Sequence, residues 1–162
     1  KLKGWKMQIN MNAQEDHQGK LKSDQKTLGG SRSTSLSLKH ILVVDDEPTA
    51  RKLLGMVLED YYKVTTCGSV DEAEQALEES EFDLVVSDYL MPDKTGIDLA
   101  NFIKVKKLFI TLILITGHGA EEVEKMAMAA GVSVILAKPI DEKLLIETID
   151  GLLEKKSNDF NV

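Results

Sequence analysis

Residues 41–48 read ILVVDDEP: four apolar residues, then two adjacent aspartates, a glutamate and a proline. Ile41–Val44 is short and rich in β-branched residues, which is typical of a buried strand. The next segment, PTARKLLGMVLEDYY, has apolar residues at helical spacing, with Pro48 in the first turn, where proline is tolerated. This stretch is therefore predicted to form a strand, an acidic turn and a helix.

The strand-then-helix pattern recurs four more times along the chain. Further strands are predicted at KVTTC, DLVVS, TLILIT and VSVILA, and further helices at SVDEAEQALEES, GIDLANFIKVKK, AEEVEKMAMAAG and DEKLLIETIDGLLEKK. Local signals support these boundaries. Ser69 and Glu72 have the spacing of a capping box, Gly131 ends the fourth helix, and Asp141 caps the fifth.

This alternation predicts an α/β fold with a doubly wound, five-stranded parallel sheet and right-handed crossovers. Strands 1, 3, 4 and 5 are continuously apolar, so we expect helices to cover both of their faces. Five units are too few for a closed eight-stranded barrel. We therefore predict an open (βα)5 flavodoxin-like sheet with strand order 2-1-3-4-5, in which the weakly patterned strand 2 lies at an edge.

Composition limits the class of protein. The 162 residues are 43% hydrophobic and 29% charged, enough for a core, and no apolar run approaches the ~20 residues of a membrane helix. No secretory signal is present, and the single cysteine, Cys67, excludes an internal disulfide. We expect a cytoplasmic protein without membrane insertion.

The charge is unevenly distributed and suggests a domain boundary. Residues 1–37 hold seven basic and three acidic residues, a net charge of +4, whereas the remainder holds 13 basic and 24 acidic residues, a net charge of −11. An acidic body argues against direct nucleic-acid binding. We assign residues 1–37 to a polar, basic tail or linker, 38–156 to one domain and 157–162 to a C-terminal tail. Trp5–Asn12 alternates like a strand, which suggests the remnant of an upstream domain.

Polar residues follow four of the five predicted strands. Asp45 and Asp46 follow the first, Asp88 the third, Thr116 the fourth and Lys138 the fifth. Each alone has an ordinary explanation as a turn former, a helix cap or a solvated charge. In a parallel sheet, however, all of these strand ends meet at one edge, where ligands bind. Their coincidence favours a functional site.

Three clustered carboxylates cannot all stay ionised without a cation, and one lysine is not enough. A hard divalent ion with oxygen ligands fits, and Mg²⁺, or Mn²⁺ in its place, suits carboxylates that work together with a phosphate. A metal site beside a further carboxylate indicates phosphoryl transfer with that carboxylate as nucleophile.

The motifs VVDDEP, DLVVSDYLMPDKTG, LILITGHG and VILAKP, in this order, resemble those of response-regulator receiver domains of two-component signalling, of the chemotaxis-regulator type. The resemblance covers about residues 38–155. It implies that Asp88 accepts a phosphoryl group from a phosphohistidine. It further implies that Asp46 binds Mg²⁺ directly, Asp45 mostly through water and Asp88 beside them, while the backbone carbonyl of Leu90 completes the set.

The same resemblance assigns the remaining positions. Lys138 would pair with the phosphate, and Thr116 would donate its hydroxyl to a phosphoryl oxygen after transfer. The Lys138-Pro139 peptide bond is expected to be cis, as is typical of the family. Met91-Pro92 and Gly96 match the family's loop after the acceptor. The resemblance also implies a phosphoryl acceptor with autophosphatase activity and not a turnover enzyme.

Three positions are candidates for tuning. Where the family usually has Tyr or Phe, three residues before the lysine, this chain has Ile135, which suggests an altered or weaker switch. Leu90 and His118 occupy positions that influence autodephosphorylation in the family. Leu90 would hinder the attacking water and His118 would order it, so the direction of their combined effect on the rate of autodephosphorylation stays open. For His118, a plain exposed loop residue is an equal alternative.

The resemblance also implies partners. Phosphoryl groups would come from a sensor histidine kinase or a phosphotransfer protein. Output would pass to a downstream protein through the face built from helix 4, strand 5 and helix 5. The segment EKMAMAA places Met126 and Met128 on helix 4, and we expect at least one of them to pack in the core.

The amino-acid sequence is also compatible with other interpretations. The chain could be a stand-alone regulator or the C-terminal receiver of a hybrid histidine kinase. VVDDEPT also resembles the start of a haloacid-dehalogenase phosphatase, with Asp45 as nucleophile, Glu47 as acid and Thr49 behind it. A non-phosphorylated interaction module is less well supported because the set of three aspartates, a threonine and a lysine is intact. A flavin-binding domain is less well supported because the loop after strand 1 is acidic and not a Gly-rich phosphate cradle.

Overall fold

The structure, a computed structural model, describes residues 38–117 and 120–159. The predicted strand at Trp5–Asn12, the tail assigned to 1–37 and the candidate tuning residue His118 lie outside these residues. Within them, no helix is long and apolar enough to cross a membrane.

Five parallel strands form one sheet in the order β2-β1-β3-β4-β5, as predicted. Strand bounds are β1 (His40–Val44), β2 (Lys63–Cys67), β3 (Leu84–Asp88), β4 (Thr111–Thr116) and β5 (Val134–Ala137). A helix follows each strand: α1 (Pro48–Glu59), α2 (Val70–Glu79), α3 (Gly96–Val105), α4 (Ala120–Ala130) and α5 (Glu142–Asp159). The predicted (βα)5 flavodoxin-like fold is therefore confirmed.

Alternate residues of the central strands serve two separate cores. Along β1, Ile41 and Val43 pack with α1 and α5 on one face, whereas Leu42 and Val44 pack with α2, α3 and α4 on the other. All four are fully buried. Each such side chain contributes roughly 1.5–3 kcal/mol through burial, so the strands are held firmly from both sides. The carboxyl ends of β1, β3 and β4 are thereby fixed relative to one another.

The expectation of two covered faces holds only in part for β5. Leu136 is buried, but Val134 and Ile135 are half-buried and Ala137 is exposed. β5 lies at the margin of the sheet, where the flanking helices cover less of it. Ile135 packs against the core of α2, α3 and α4, and Leu136 packs in the core of α1 and α5, so each face of β5 is covered in part.

The methionine expectation on α4 is wrong. Met126 and Met128 are 51% and 64% exposed. Val123, Ala127 and Ala130 form the buried stripe, at the i, i+4, i+7 spacing of one helix face. Small residues there let α4 approach the sheet, and both methionines lie off that stripe.

The predicted capping box at α2 is only half formed. Ser69 Oγ accepts a hydrogen bond from the Glu72 amide at 3.2 Å, but the Glu72 carboxylate accepts from the Gly68 amide and not from Ser69. A complete box lies at α3, where Thr95 and Asp98 cap each other. The sequence pattern missed it because the reciprocal residue is Asp, where the pattern expects Glu or Gln.

Two further capping predictions, at Asp141 and Gly131, are confirmed. Asp141 Oδ1 accepts a hydrogen bond from the Leu144 amide at 2.8 Å, so it caps α5. Gly131 ends α4 with φ of +94°, a left-handed conformation that favours glycine.

Candidate functional site

Three carboxylates converge at the carboxyl ends of β1 and β3. Asp45 and Asp46 follow β1 directly, and Asp88 is the last residue of β3, which pairs with β1. One oxygen from each of the three lies within 4.8 Å of the others. Asp45 and Asp88 are buried, whereas Asp46 is exposed. The cluster therefore has a buried floor and an open side.

Lys138, the residue directly after β5, supplies positive charge to this cluster. Its Nζ lies 3.0 Å from Asp88 Oδ1 and 3.8 Å from Asp45 Oδ2. Its backbone amide donates to the Thr116 carbonyl at 2.8 Å, which attaches the start of the following loop to β4. The Lys138-Pro139 peptide bond is cis. The lysine is therefore held by both its main chain and its side chain.

One lysine faces three carboxylates at this site. Burial raises the pKa of Asp45. The hydrogen bond from the Glu47 amide and the charge of Lys138 oppose that rise, and the charges of Asp88 and Asp46 add to it. Burial disfavours the charge of Lys138, yet its hydrogen bond to Asp88 and the nearby carboxylates raise its pKa overall. A cation at the open side would relieve the remaining repulsion.

Thr116 completes the set that the sequence predicted. It ends β4, between the strands that carry Asp88 and Lys138, and it is buried. The structure thus brings the three aspartates, the threonine and the lysine to one edge of the sheet. Such a site offers oxygen ligands for a hard cation, a counter-charge and a hydroxyl around one carboxylate.

The sequence profile of the response regulator receiver domain matches residues 41–150. The chain belongs to this family. Its relatives include the transcriptional regulatory protein GlrR of Escherichia coli (strain K12), 35% identical over 119 residues, which are 73% of this chain and 27% of GlrR. The signal transduction histidine-protein kinase BarA of the same strain is 34% identical over 108 residues, 65% of this chain and 12% of BarA.

Solved structures agree with the family assignment. The response regulator receiver domain protein from Clostridium thermocellum has a TM-score of 0.70 and 32% identity, over 74% of this chain and 98% of that one. This chain spans about a quarter of the length of GlrR, so the match concerns the receiver and not the whole relative. Of the interpretations weighed from sequence, the matches favour the receiver over the phosphatase and the flavin-binding domain.

Gly96, which matched a motif of the family in the sequence, is required by the packing of this receiver. A Cβ there would lie 2.5 Å from the Asp88 carbonyl oxygen and 2.4 Å from Leu114 Cδ1. The Gly96 amide donates to the Tyr89 carbonyl at 2.9 Å, and Ser87 Oγ donates to the Asp88 carbonyl at 2.8 Å. The main chain of the acceptor strand is thus packed directly against the start of α3.

Arg51 is a site residue that sequence reasoning missed. Its Nη1 donates to the Asp45 carbonyl at 2.6 Å. It also packs over Gly68, in the loop that follows β2. A basic residue one turn into the helix after the acidic turn was the available signal, but the same residue type is common on solvated helix faces.

The candidate tuning residues lie in different environments. Leu90 is 53% exposed, two residues after Asp88, and pairs with Thr95 in a short antiparallel bridge. Ile135 is half-buried on β5, where it packs against the core that includes α3 and α4. Ile135 therefore occupies packed space beside the receiver's site.

Proposed function

We propose that this receiver accepts a phosphoryl group on Asp88 from a phosphohistidine of a sensor histidine kinase or phosphotransfer protein. In this reaction the phosphorus–nitrogen bond of the donor breaks and a phosphorus–oxygen bond to an Asp88 carboxylate oxygen forms. The donor's imidazole leaves with the electron pair of the broken bond. Receivers as a family interact with such kinases and with downstream effectors, and Asp88 is the carboxylate in contact with the lysine.

The observation that carries this proposal is the geometry around Asp88. Its Oδ1 lies 3.0 Å from Lys138 Nζ, and its carboxylate belongs to a cluster of three within 4.8 Å. Lys138 would stay with the phosphoryl oxygens after transfer as their counter-charge. Thr116 would donate its hydroxyl to one of them, and the fixed donors need no rearrangement as charge develops.

The residues present fit Mg²⁺, with Mn²⁺ as a substitute. Asp46 would bind the ion directly, Asp45 mostly through water, and Asp88 and the Leu90 carbonyl would complete the protein ligands. Carboxylate and carbonyl oxygens are the donors that this hard ion prefers. When bound, the ion neutralises negative charge on the phosphoryl oxygens and the carboxylates. The excess negative charge of the cluster supports this assignment.

The test is intact mass after incubation with acetyl phosphate, with and without Mg²⁺, beside Asp88→Asn. We expect one Mg²⁺-dependent phosphoryl adduct in the wild type and none in the variant, although both are folded by circular dichroism. An adduct of equal yield in Asp88→Asn would overturn the assignment of the acceptor. A folded protein that neither binds Mg²⁺ nor forms an adduct would favour the interaction-module alternative.

We further propose that output passes to a protein partner through the face of α4, β5 and α5. The exposed Met126 and Met128 on α4 support this, since flexible methionines suit a binding surface. So does the incomplete covering of β5, where Ala137 is exposed. Ile135 would alter the switch that links Thr116 to this face, because it lacks the aromatic ring usual in the family.

A second context for the same reaction is the receiver of a hybrid histidine kinase. The match to BarA favours it, as the match to GlrR favours a response regulator. The full-length open reading frame distinguishes them, since a kinase core upstream of residue 1 would establish the hybrid arrangement.

A further inference from the structure

The loop between β3 and α3, residues 89–95, carries the proposed metal ligand at Leu90. Its base is closed by the bridge between Leu90 and Thr95 and by the hydrogen bond from the Gly96 amide to the Tyr89 carbonyl. Met91 is 6% exposed and packs into the core that contains α2, α3 and α4. The peptide that follows Leu90 is therefore anchored on one side by Met91.

Lys94, at the far side of this loop, is anchored to helix α2. Its Nζ lies 2.6 Å from Asp71 Oδ1, and 3.0 Å and 3.1 Å from the two carboxylate oxygens of Glu74. The side chain of Glu74 is 24% exposed and that of Lys94 is 38% exposed, whereas that of Asp71 is 74% exposed. Water therefore screens the pair with Asp71 more strongly than the pair with Glu74. Hydrogen bonds to Asp71 and Glu74 raise the pKa of Lys94, which keeps it charged.

This ion-pair cluster lies next to the acidic site. Lys94, Asp71 and Met91 line a cavity of about 110 Å³ that Asp46 also lines. The loop after β2, through Ser69, forms another part of its wall. A movement of the loop away from α2 would therefore change the surroundings of Asp46 and the position of Leu90 together.

We infer that Lys94 is a positioning residue, whose pairing with Asp71 and Glu74 holds the β3–α3 loop so that the Leu90 carbonyl faces a divalent cation. The inference rests on the proposed Mg²⁺ site and adds to it a residue that does not touch the ion. Residues that orient metal ligands from behind commonly affect metal affinity strongly.

Two effects of Lys94 on cation binding have opposite signs, which makes the inference testable. As a positive charge that lines the same cavity as Asp46, Lys94 disfavours a cation there, so Lys94→Gln would tighten Mg²⁺ binding if charge alone mattered. As a positioning residue it favours the bound geometry, so Lys94→Gln would weaken binding. Because the ion pair is partly exposed, we expect the dissociation constant for Mg²⁺ to rise by about 3- to 10-fold.

Lys106 provides a matched control. Its Nζ lies 2.6 Å from Glu78 Oε1, so it too joins the α3 segment to α2 through one ion pair. Lys106→Gln removes the same charge from the opposite end of α3, and Lys106 does not line the cavity beside Asp46. We expect unchanged Mg²⁺ affinity in Lys106→Gln and recovery of most of the affinity in Lys94→Arg.

The experiment is calorimetric titration of the full chain and these variants with MgCl₂, together with hydrogen–deuterium exchange of the metal-free proteins. We expect faster exchange at residues 90–95 in Lys94→Gln and not in Lys106→Gln. Equal or tighter Mg²⁺ binding by Lys94→Gln, or unchanged exchange in this loop, overturns the inference alone. Absence of Mg²⁺ binding by the wild type overturns the proposed metal site and this inference with it.

Discussion

Lys138 Nζ lies 3.0 Å from Asp88 Oδ1, although Asp88 ends β3 and Lys138 follows β5, which is not a neighbour of β3 in the sheet. β4 separates β3 from β5, so the lysine side chain reaches across the strand end where Thr116 lies. The proposed acceptor and its counter-charge thus come from different βα units. Their contact depends on the pairing of β4 with both neighbouring strands.

Replacing Lys138 should separate metal binding from phosphoryl transfer. In Lys138→Gln we expect Mg²⁺ binding equal to or tighter than in the wild type, because a competing cation is removed from the carboxylates. We expect phosphorylation by acetyl phosphate to slow on the order of 10²-fold, the loss typical of one removed charge-stabilising donor. Calorimetry gives the first quantity and time-resolved intact mass the second. Phosphorylation at the wild-type rate would contradict the role given to this lysine.

Replacing Gly96 should destabilise the fold. A Cβ at this position would meet the Asp88 carbonyl oxygen and Leu114 Cδ1 at distances that real side chains do not tolerate. We expect Gly96→Ala to lower the free energy of unfolding by about 1–3 kcal/mol, as in other overpacked sites. Urea denaturation measures this change.

Gly151 offers the control for that experiment. It lies within α5, and a Cβ there would have no neighbour within 4 Å. Gly151→Ala should therefore raise the free energy of unfolding by about 0.5–1 kcal/mol through helix propensity alone. Equal effects of the two alanine substitutions would show that the close packing of Gly96 against Asp88 is not the cause.

Stability should depend on pH through His40, far from the acidic cluster. Burial lowers the pKa of His40 from its usual 6.5, the charge of Lys63 adds to this, and hydrogen bonding to the Glu81 carbonyl and the charge of Asp83 oppose it. The unfolded chain therefore binds more protons at this residue, so its contribution to stability is present above pH 6.5 and is lost as the pH falls below it.

The measurement is the free energy of unfolding in urea at pH 7.5 and pH 5.5, for the wild type and His40→Gln. We expect a smaller loss of stability on acidification in the variant, because it lacks the group that must take up a proton on unfolding. A loss of the same size in both proteins would assign the pH dependence to other groups.

The residue at position 135 should determine how strongly activation at the site changes the conformation of α4. In Ile135→Tyr we expect larger chemical-shift changes on α4 when beryllofluoride is added with Mg²⁺, because a ring at this position restores the family's usual partner for Thr116. Ile135→Val, which keeps an aliphatic side chain on the half-buried strand, is the control. Identical shift changes in the wild type and Ile135→Tyr would count against an altered switch in this chain.

Much of the architecture could be predicted from local sequence patterns. Apolar runs and apolar residues at helical spacing indicate which residues are buried, so ILVV and TLILIT were recognisable as central strands. Strand order followed from the topology rules for parallel sheets. The polar residues at strand ends then had to share one edge, whatever the details of the loops between them.

The same local patterns failed where burial depends on neighbours. β5 reads as a two-sided strand, yet its edge position leaves Ala137 exposed. Met126 and Met128 are apolar, yet the face of α4 toward the sheet is set by Val123 and the small residues that follow it. An apolar side chain can be buried at low cost, but the packing of neighbouring elements decides which of several apolar residues is buried.

Periodicity and the order of elements along the chain were sufficient to predict the fold class, the strand order and the chemical groups that meet at the site. Three contacts are visible only in the folded chain: Lys138 lies closer to Asp88 than to Asp45, Arg51 donates to the Asp45 carbonyl, and Lys94 joins its loop to α2. In each of these contacts the two residues belong to different elements or lie on either side of a turn. They depend on side-chain reach and loop placement, which local patterns do not encode.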